Sequence, residues 1–259
     1  MKKSVKIILT VLCLIFVGIF AFSGYKLYSI IHEYKVAENV YSDLSNQFVN
    51  SERKPNASGK NEDDKLANEE TSPIDVDFNA LREQCEDVIG WIYSEDTVIN
   101  YPLVIAEDNF YYLRRMIDGN YNPSGTLFLD CLNEGDFSSK NTLIYGHNMH
   151  DGSMFASIRN YDKQEYYDAH PKLYINTPDG NYRVEVFSAY ITDADSDTYT
   201  IGFHSDEEYQ AYLDKMVSQS AFKSDVKPTV EDRIVTLSTC TYEYYDARFV
   251  VQGRLVPIN

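Results

Sequence analysis

A cysteine, an arginine and a histidine stand in this sequence where strands run out. Cys240 closes the run RIVTLSTC at 233–240, in which Ile234, Thr236 and Ser238 alternate with Val235, Leu237 and Thr239. Such alternation marks a half-buried strand. Residues 241–246 (TYEYYD) suit a loop. A second alternating run starts at Ala247, with Arg248, Val250 and Gln252 on one face and Phe249 and Val251 on the other. If the two runs pair antiparallel, Cys240 and Arg248 come to the same end of a sheet. A cation beside a strand-end thiol favours the thiolate and can hold an oxyanion. The other reading of the pair is a buried Cys and a surface Arg.

A nucleophilic thiol needs a partner for proton transfer. Of the five histidines, His32 lies near the N-terminus, His170 precedes Pro171, and His204 sits just ahead of a helix cap. His147 follows Leu143-Ile144-Tyr145 and a glycine, so it emerges at a strand end on a permissive backbone. His150 is three residues on, but no carboxylate or thiol at ligand spacing completes a metal site with the pair, and no metal is expected. The DADSD run at 193–197 opens like a calcium loop, yet Thr198 and His204 occupy the positions that need Gly and Glu. It reads as a solvated acidic loop.

The elements that must position these residues are mostly strands, expected at 91–93, 98–105, 126–130, 142–145, 172–176, 182–191, 233–240 and 247–256. Eight short strands with few helices predict a closed or nearly closed β-barrel, since closure removes the edges. Asp179-Gly180 signals a hairpin turn. Phe78, Leu81, Cys85, Val88 and Ile89 have helical spacing and predict a short helix over 77–89, ended by Gly90. A second helix is predicted over 206–219, with Ser205 and Glu208 as a capping box and Tyr209, Tyr212, Leu213 and Met216 along one face.

Ahead of the barrel, Lys2, Lys3 and Lys6 precede an apolar run from Ile7 to Phe22. This reads as an uncleaved transmembrane signal-anchor over 7–24, the rival being a signal peptide cut near Ala21-Phe22-Ser23. The basic flank predicts a cytoplasmic N-terminus (1–6) and an exported body. Residues 25–49 read as a helical stalk, 50–73 as a flexible spacer almost without large apolar side chains, and 74–259 as the folded domain. The chain has 259 residues and a net charge of −17. Residues 1–73 hold nine basic and nine acidic side chains, so the imbalance falls wholly on the exported domain. That charge excludes nucleic acid as a partner and argues against an anionic membrane surface, leaving the anchor as the membrane contact. Four cysteines are too few for a disulfide-built scaffold. Cys85 lies on the apolar face of its helix and is expected to be a packed free thiol, not paired with Cys131.

TLSTC at 236–240, an Arg eight residues later and YGHNM at 145–149 resemble the sortases, and class B sortases in particular. The similarity extends to GWI at 90–92, INYPLV at 99–104, DNFYYL at 108–113 and SGTLFLD at 124–130, covering nearly all of 74–259. The resemblance implies a mostly β fold: an eight-stranded sortase-type β-barrel with an N-terminal helix and an additional helix before the Cys strand, behind a transmembrane anchor. It implies a cysteine transpeptidase of Gram-positive cell surfaces, single-pass in the cell membrane with its catalytic domain outside, and no cofactor. Cys240 would attack the Thr carbonyl of a sorting signal on a surface protein. His147 would move protons, and Arg248 would stabilise the oxyanion. The thioester would pass to an amine of a peptidoglycan precursor or a pilin. Ser238, Tyr145 and Asn109 are the implied substrate contacts. Thr241 stands where some class B members have Glu. A hydrolytic cysteine peptidase and a non-enzymatic surface binding module are the other readings open to the residues.

Overall fold

Period-two runs rich in β-branched and aromatic residues form strands, and here eight of them close on themselves. The computed structural model describes residues 3–50 and 71–259, so most of the expected spacer, 51–70, lies outside the described residues. In chain order the elements are α1 (Lys3–Phe48), β1 (Val49–Asn50), β2 (Asp75–Val76), α2 (Phe78–Gln84), β3 (Val88–Tyr93), β4 (Asn100–Val104), β5 (Leu127–Leu129), β6 (Asn141–Tyr145), α3 (Gln164–Ala169), β7 (Lys172–Thr177), β8 (Gly180–Asp193), α4 (Asp206–Ser218), β9 (Arg233–Cys240) and β10 (Ala247–Ile258). The barrel order is β10-β8-β7-β3-β4-β5-β6-β9, and β9 pairs back to β10. The β4–β5 and β6–β9 pairs are parallel and the others antiparallel.

All eight expected strands are present, with ends shifted by a few residues. The expected helix over 77–89 is shorter: α2 stops at Gln84, Cys85 is extended, and Val88 and Ile89 open β3. Two β-branched residues satisfy helical spacing and strand propensity alike, and pairing with β4 decides. In the β7–β8 hairpin, Thr177 pairs with Gly180, so the two loop residues are Pro178 and Asp179.

The expectation that β9 is half-buried does not hold. Residues 234–239 are buried on both faces. The outer face is covered by α4, whose Tyr209, Tyr212, Leu213 and Met216 pack with Phe187, Ile234 and Val250. Burial of each such side chain contributes about 1.5–3 kcal/mol. Ser205 caps α4 by accepting from the Glu208 N–H, while the Glu208 carboxylate accepts from the N–H of His204. Between α4 and the barrel, Gln252 donates to Tyr212 (3.0 Å) and Thr236 (3.1 Å), and Thr236 donates to Asn141 (2.8 Å). The Asn141 amide in turn donates to the carbonyls of Thr198 and Thr200 (3.3 and 2.9 Å). This buried network fixes the backbone on both sides of Tyr199.

Residues 1–40 and 41–259 form two separate compact units. The first is the greater part of α1, a helix long and apolar enough to cross a membrane. In the second, Tyr41, Leu44 and Phe48 are buried. The Tyr41 hydroxyl donates to the carbonyl of Gly125, and Asn100 donates to Ser45 (2.8 Å). Gly125 has φ +58°, and a Cβ there would lie 2.6 Å from the carbonyl oxygens of Tyr112 and Leu113. Only glycine fits between this turn and the chain above it.

Candidate active site

Antiparallel pairing places Cys240 directly opposite Arg248, at the last pair that β9 and β10 share at this end of the barrel. On the other side of β9 lies β6, parallel to it, with Tyr145 opposite Ser238. Two residues beyond that pair the same direction of travel brings His147 to the strand end beside Cys240. Side-chain and backbone bonds lock the two ends: the Gly146 N–H donates to the Ser238 carbonyl (3.1 Å), and the Thr239 hydroxyl donates to the Gly146 carbonyl (2.7 Å). Asn148 then donates to the Cys240 carbonyl (2.9 Å).

The chain leaves β6 in a tight loop. Asn148 pairs with Met154 in an isolated bridge, and the Phe155 N–H donates to the His147 carbonyl (3.0 Å). The imidazole is held on its other side by the turn Tyr112–Arg114, where the Leu113 carbonyl lies 2.7 Å from Nε2. A carbonyl only accepts, so Nε2 carries the proton and Nδ1 is the basic nitrogen of the neutral ring. Burial lowers the pKa of His147 below its ordinary 6.5, opposed by the Leu113 bond and assisted by the charge of Arg114.

Cys240, His147, Arg248, Ser238, Tyr145 and Asn109 all line one cleft of about 240 Å³. The Arg248 guanidinium is half-enclosed. It pairs with the Asp246 carboxylate (2.8 Å) and donates to the carbonyls of Asp246 and Ala247 (3.0 and 3.2 Å). Asp246 itself has φ +61°, a left-handed conformation that Asp tolerates better than most residues. The Ser238 hydroxyl bonds Tyr199 (2.9 Å), and the Tyr199 and Tyr145 rings stack at 6.3 Å. Burial pushes the Tyr199 hydroxyl up to about 12, against the opposing bond to Ser238. Both ends of the Asn109 amide are engaged: Nδ2 donates to Asp130 and Oδ1 accepts from the Cys131 N–H. Asp130 also accepts from the Tyr145 hydroxyl (2.9 Å). Asn109 and Tyr145 thus share one carboxyl group behind the cleft wall.

Gly146, Thr239, Leu113, Thr126, Phe128, Ala194 and Tyr199 complete the lining, and the last five were not singled out from sequence. Leu113 touches His147 through its backbone, which no side-chain pattern reports. Tyr199 follows the acidic run 193–197 in a segment without periodicity. Among the described residues no group of His, Cys, Asp and Glu is arranged to hold a metal ion, and the four cysteines are unpaired. Cys85 rests against the Tyr112 hydroxyl at 3.4 Å.

The sortase-domain family model matches residues 117–256. The chain is 35% identical to sortase B of Listeria monocytogenes over 247 residues, 95% of each chain. It is 30% identical to sortase B of Staphylococcus aureus over 253 residues, 97% of this chain and 98% of that one. The chain belongs to the sortase family. Among solved structures, sortase B from Bacillus anthracis superposes with a TM-score of 0.73 at 36% identity, covering 88% of this chain and all of the other. The S. aureus sortase B–substrate complex gives 0.68 at 34% identity, over 70% of this chain and 85% of that one. The eight-stranded barrel is therefore a sortase barrel, and its activity is that of a cysteine transpeptidase that anchors surface proteins to the cell wall. Sortases are cell-surface enzymes that act on sorting-signal substrates and amine acceptors.

Proposed function

We propose that Cys240 is the nucleophile of this sortase, His147 its acid and base, and Arg248 the cation that holds the developing oxyanion. The reading is carried by one observation: Cys240 and Arg248 are direct partners across β9 and β10, with His147 at the end of the strand on the other side of β9. The Cys240 thiol passes its proton to Nδ1 of His147 as its sulfur adds to the Thr carbonyl of the sorting signal, and the negative charge passes to the carbonyl oxygen beside the Arg248 guanidinium. Collapse breaks the peptide bond, and the leaving nitrogen takes a proton from the imidazolium of His147. The thioester then meets an acceptor amine. His147 takes a proton as this nitrogen adds, and collapse expels the thiolate and leaves an amide. No cofactor enters this sequence.

Residues 7–24 act as the membrane anchor in this proposal, with residues 1–6 in the cytoplasm and 74–259 outside, reached through the stalk and spacer. The acceptor is a peptidoglycan precursor or a pilin amine. Ser238 and Tyr145 contact the bound signal directly. Asn109, with its amide engaged at both ends, shapes the wall behind it. The test is turnover of a panel of sorting peptides by the full chain in detergent, with triglycine as acceptor and mass spectrometry of products. Conjugate from the parent and none from Cys240→Ala is the expected result. Acid product alone under every amine would overturn transpeptidation by this site, and turnover by Cys240→Ala would overturn the nucleophile.

A further inference from the structure

The loop after Cys240 and the loop after His147 are tied together outside the cleft. Glu243 takes the Arg159 guanidinium on one carboxylate oxygen (2.5 Å to Nη2) and the Thr241 hydroxyl on the other. Tyr242 stacks parallel to His150, with ring centres 6.3 Å apart and planes within 7°. Arg159 lies in the turn Ala156–Asp162, one residue after Phe155, whose N–H holds the His147 carbonyl. Thr241 is bonded into the chain immediately after Cys240, its N–H on the Ala247 carbonyl (3.1 Å). One end of the tie, Glu243, is thus three residues from Cys240, and the other, Arg159, is four residues from Phe155, which is bonded to the His147 backbone.

We infer that Arg159 and Glu243 are positioning residues: their ion pair, fixed to Thr241, sets the loop of Cys240 against the loop of His147. This rests on the assignment of those two residues as nucleophile and acid–base. Two features make the pair more than a chance surface contact. Arg159 Nε is shut away from solvent without an acceptor, and the Glu243 carboxylate supplies the counter-charge of the guanidinium at Nη2. The Glu243 carboxylate is also fixed by the Thr241 hydroxyl, and that bond, foremost, with the charge of Arg159 lowers its pKa from the ordinary value. The pair itself is about one-third exposed on each side and adds little to global stability. Its effect falls on geometry, where a displacement of a fraction of an ångström between reacting groups lowers the rate. The Asn148 and Thr239 bonds stay in place without it, so the loss is partial.

The experiment compares Arg159→Ala, Glu243→Gln and the double variant in the full chain, using the best peptide of the panel and triglycine. The expected result is a fall in kcat of about five- to tenfold in each single variant, with KM and Tm nearly unchanged and the double variant no slower than the slower single. Wild-type kcat in both single variants, losses that multiply in the double, or losses that track a lowered Tm would each overturn the inference. An active Cys240→Ala would instead overturn the assignment beneath it, and the two failures are read from different variants.

Discussion

The Leu113 carbonyl accepts a 2.7 Å hydrogen bond from Nε2 of His147. That bond stabilises the imidazolium, yet burial outweighs it and the ring titrates below its ordinary 6.5. In the unfolded chain the same ring titrates near 6.5, so as pH falls the unfolded state takes up the proton first. Stability is thus highest above pH 6.5, declines as pH drops from there to the folded-state value, and levels off below it. An imidazole NMR titration should put His147 below 6.5. In His147→Gln the slope of Tm with pH just below 6.5 should flatten. The carboxyl groups with depressed values, Asp108, Asp136, Glu185 and Glu243, lose their stabilisation at lower pH and do not blur this window.

Arg248 faces Cys240 and offers a planar fork of donors, some of which remain after Asp246 is satisfied. Lysine keeps the charge but loses the fork. Arg248→Lys should lower kcat by roughly 10²–10³, the scale expected for one oxyanion donor, while KM moves only a few-fold. Steady-state kinetics with a sorting peptide checks this. An Arg248→Lys enzyme at full kcat would remove the guanidinium from the reaction.

Residues that act through their position on a strand were readable from sequence. The alternation at 233–240 and 247–252 was enough to expect Cys240 and Arg248 at the same end of a sheet, the register itself coming from the structure, and the α4 face was read residue for residue. What the alternation did not reveal is the second cover on β9, because α4 and the Gln252–Thr236–Asn141 network come from segments distant in sequence. Leu113 was invisible because a carbonyl has no side-chain signature. Asp130 was invisible because its partners, Asn109 and Tyr145, lie 21 and 15 residues away. Both are contacts made by closure of the barrel, and pattern within one segment does not encode them.

Asp130 should therefore matter to substrate binding without touching substrate. It is 7% exposed and accepts from Asn109, Tyr145 and the Leu132 N–H. Asp130→Ala leaves the Tyr145 hydroxyl and the Asn109 amide without their acceptor beside the cleft, at about 1–3 kcal/mol of stability. Peptide KM should rise several-fold more than kcat falls. Tyr145→Phe, which removes one donor and leaves the carboxyl its other two, should show a smaller rise. Equal KM values for Asp130→Ala and the parent would separate this wall from the signal.

Gly146 tests the packing that sets His147 at the strand end. A Cβ there would lie 2.3 Å from Leu127 Cδ2 and 2.6 Å from Phe155 Cδ2, and both side chains are fully buried. Phe155 cannot retreat freely, because its N–H holds the His147 carbonyl. Gly146→Ala must therefore push apart β5 and the loop that follows His147, with an overpacking cost of about 1–3 kcal/mol. The strain falls on the bonds from Gly146 to Ser238 and from Thr239 to Gly146, which join the ends of β6 and β9. Chemical denaturation should show the stability loss. Turnover of the fraction that remains folded should fall as well, since the displaced residue is the neighbour of His147. A Gly146→Ala protein with lowered stability but full turnover per folded molecule would mean that the strand end tolerates the shift, and that the bonds of His147 to Leu113 and Phe155 hold it without the Gly146 packing.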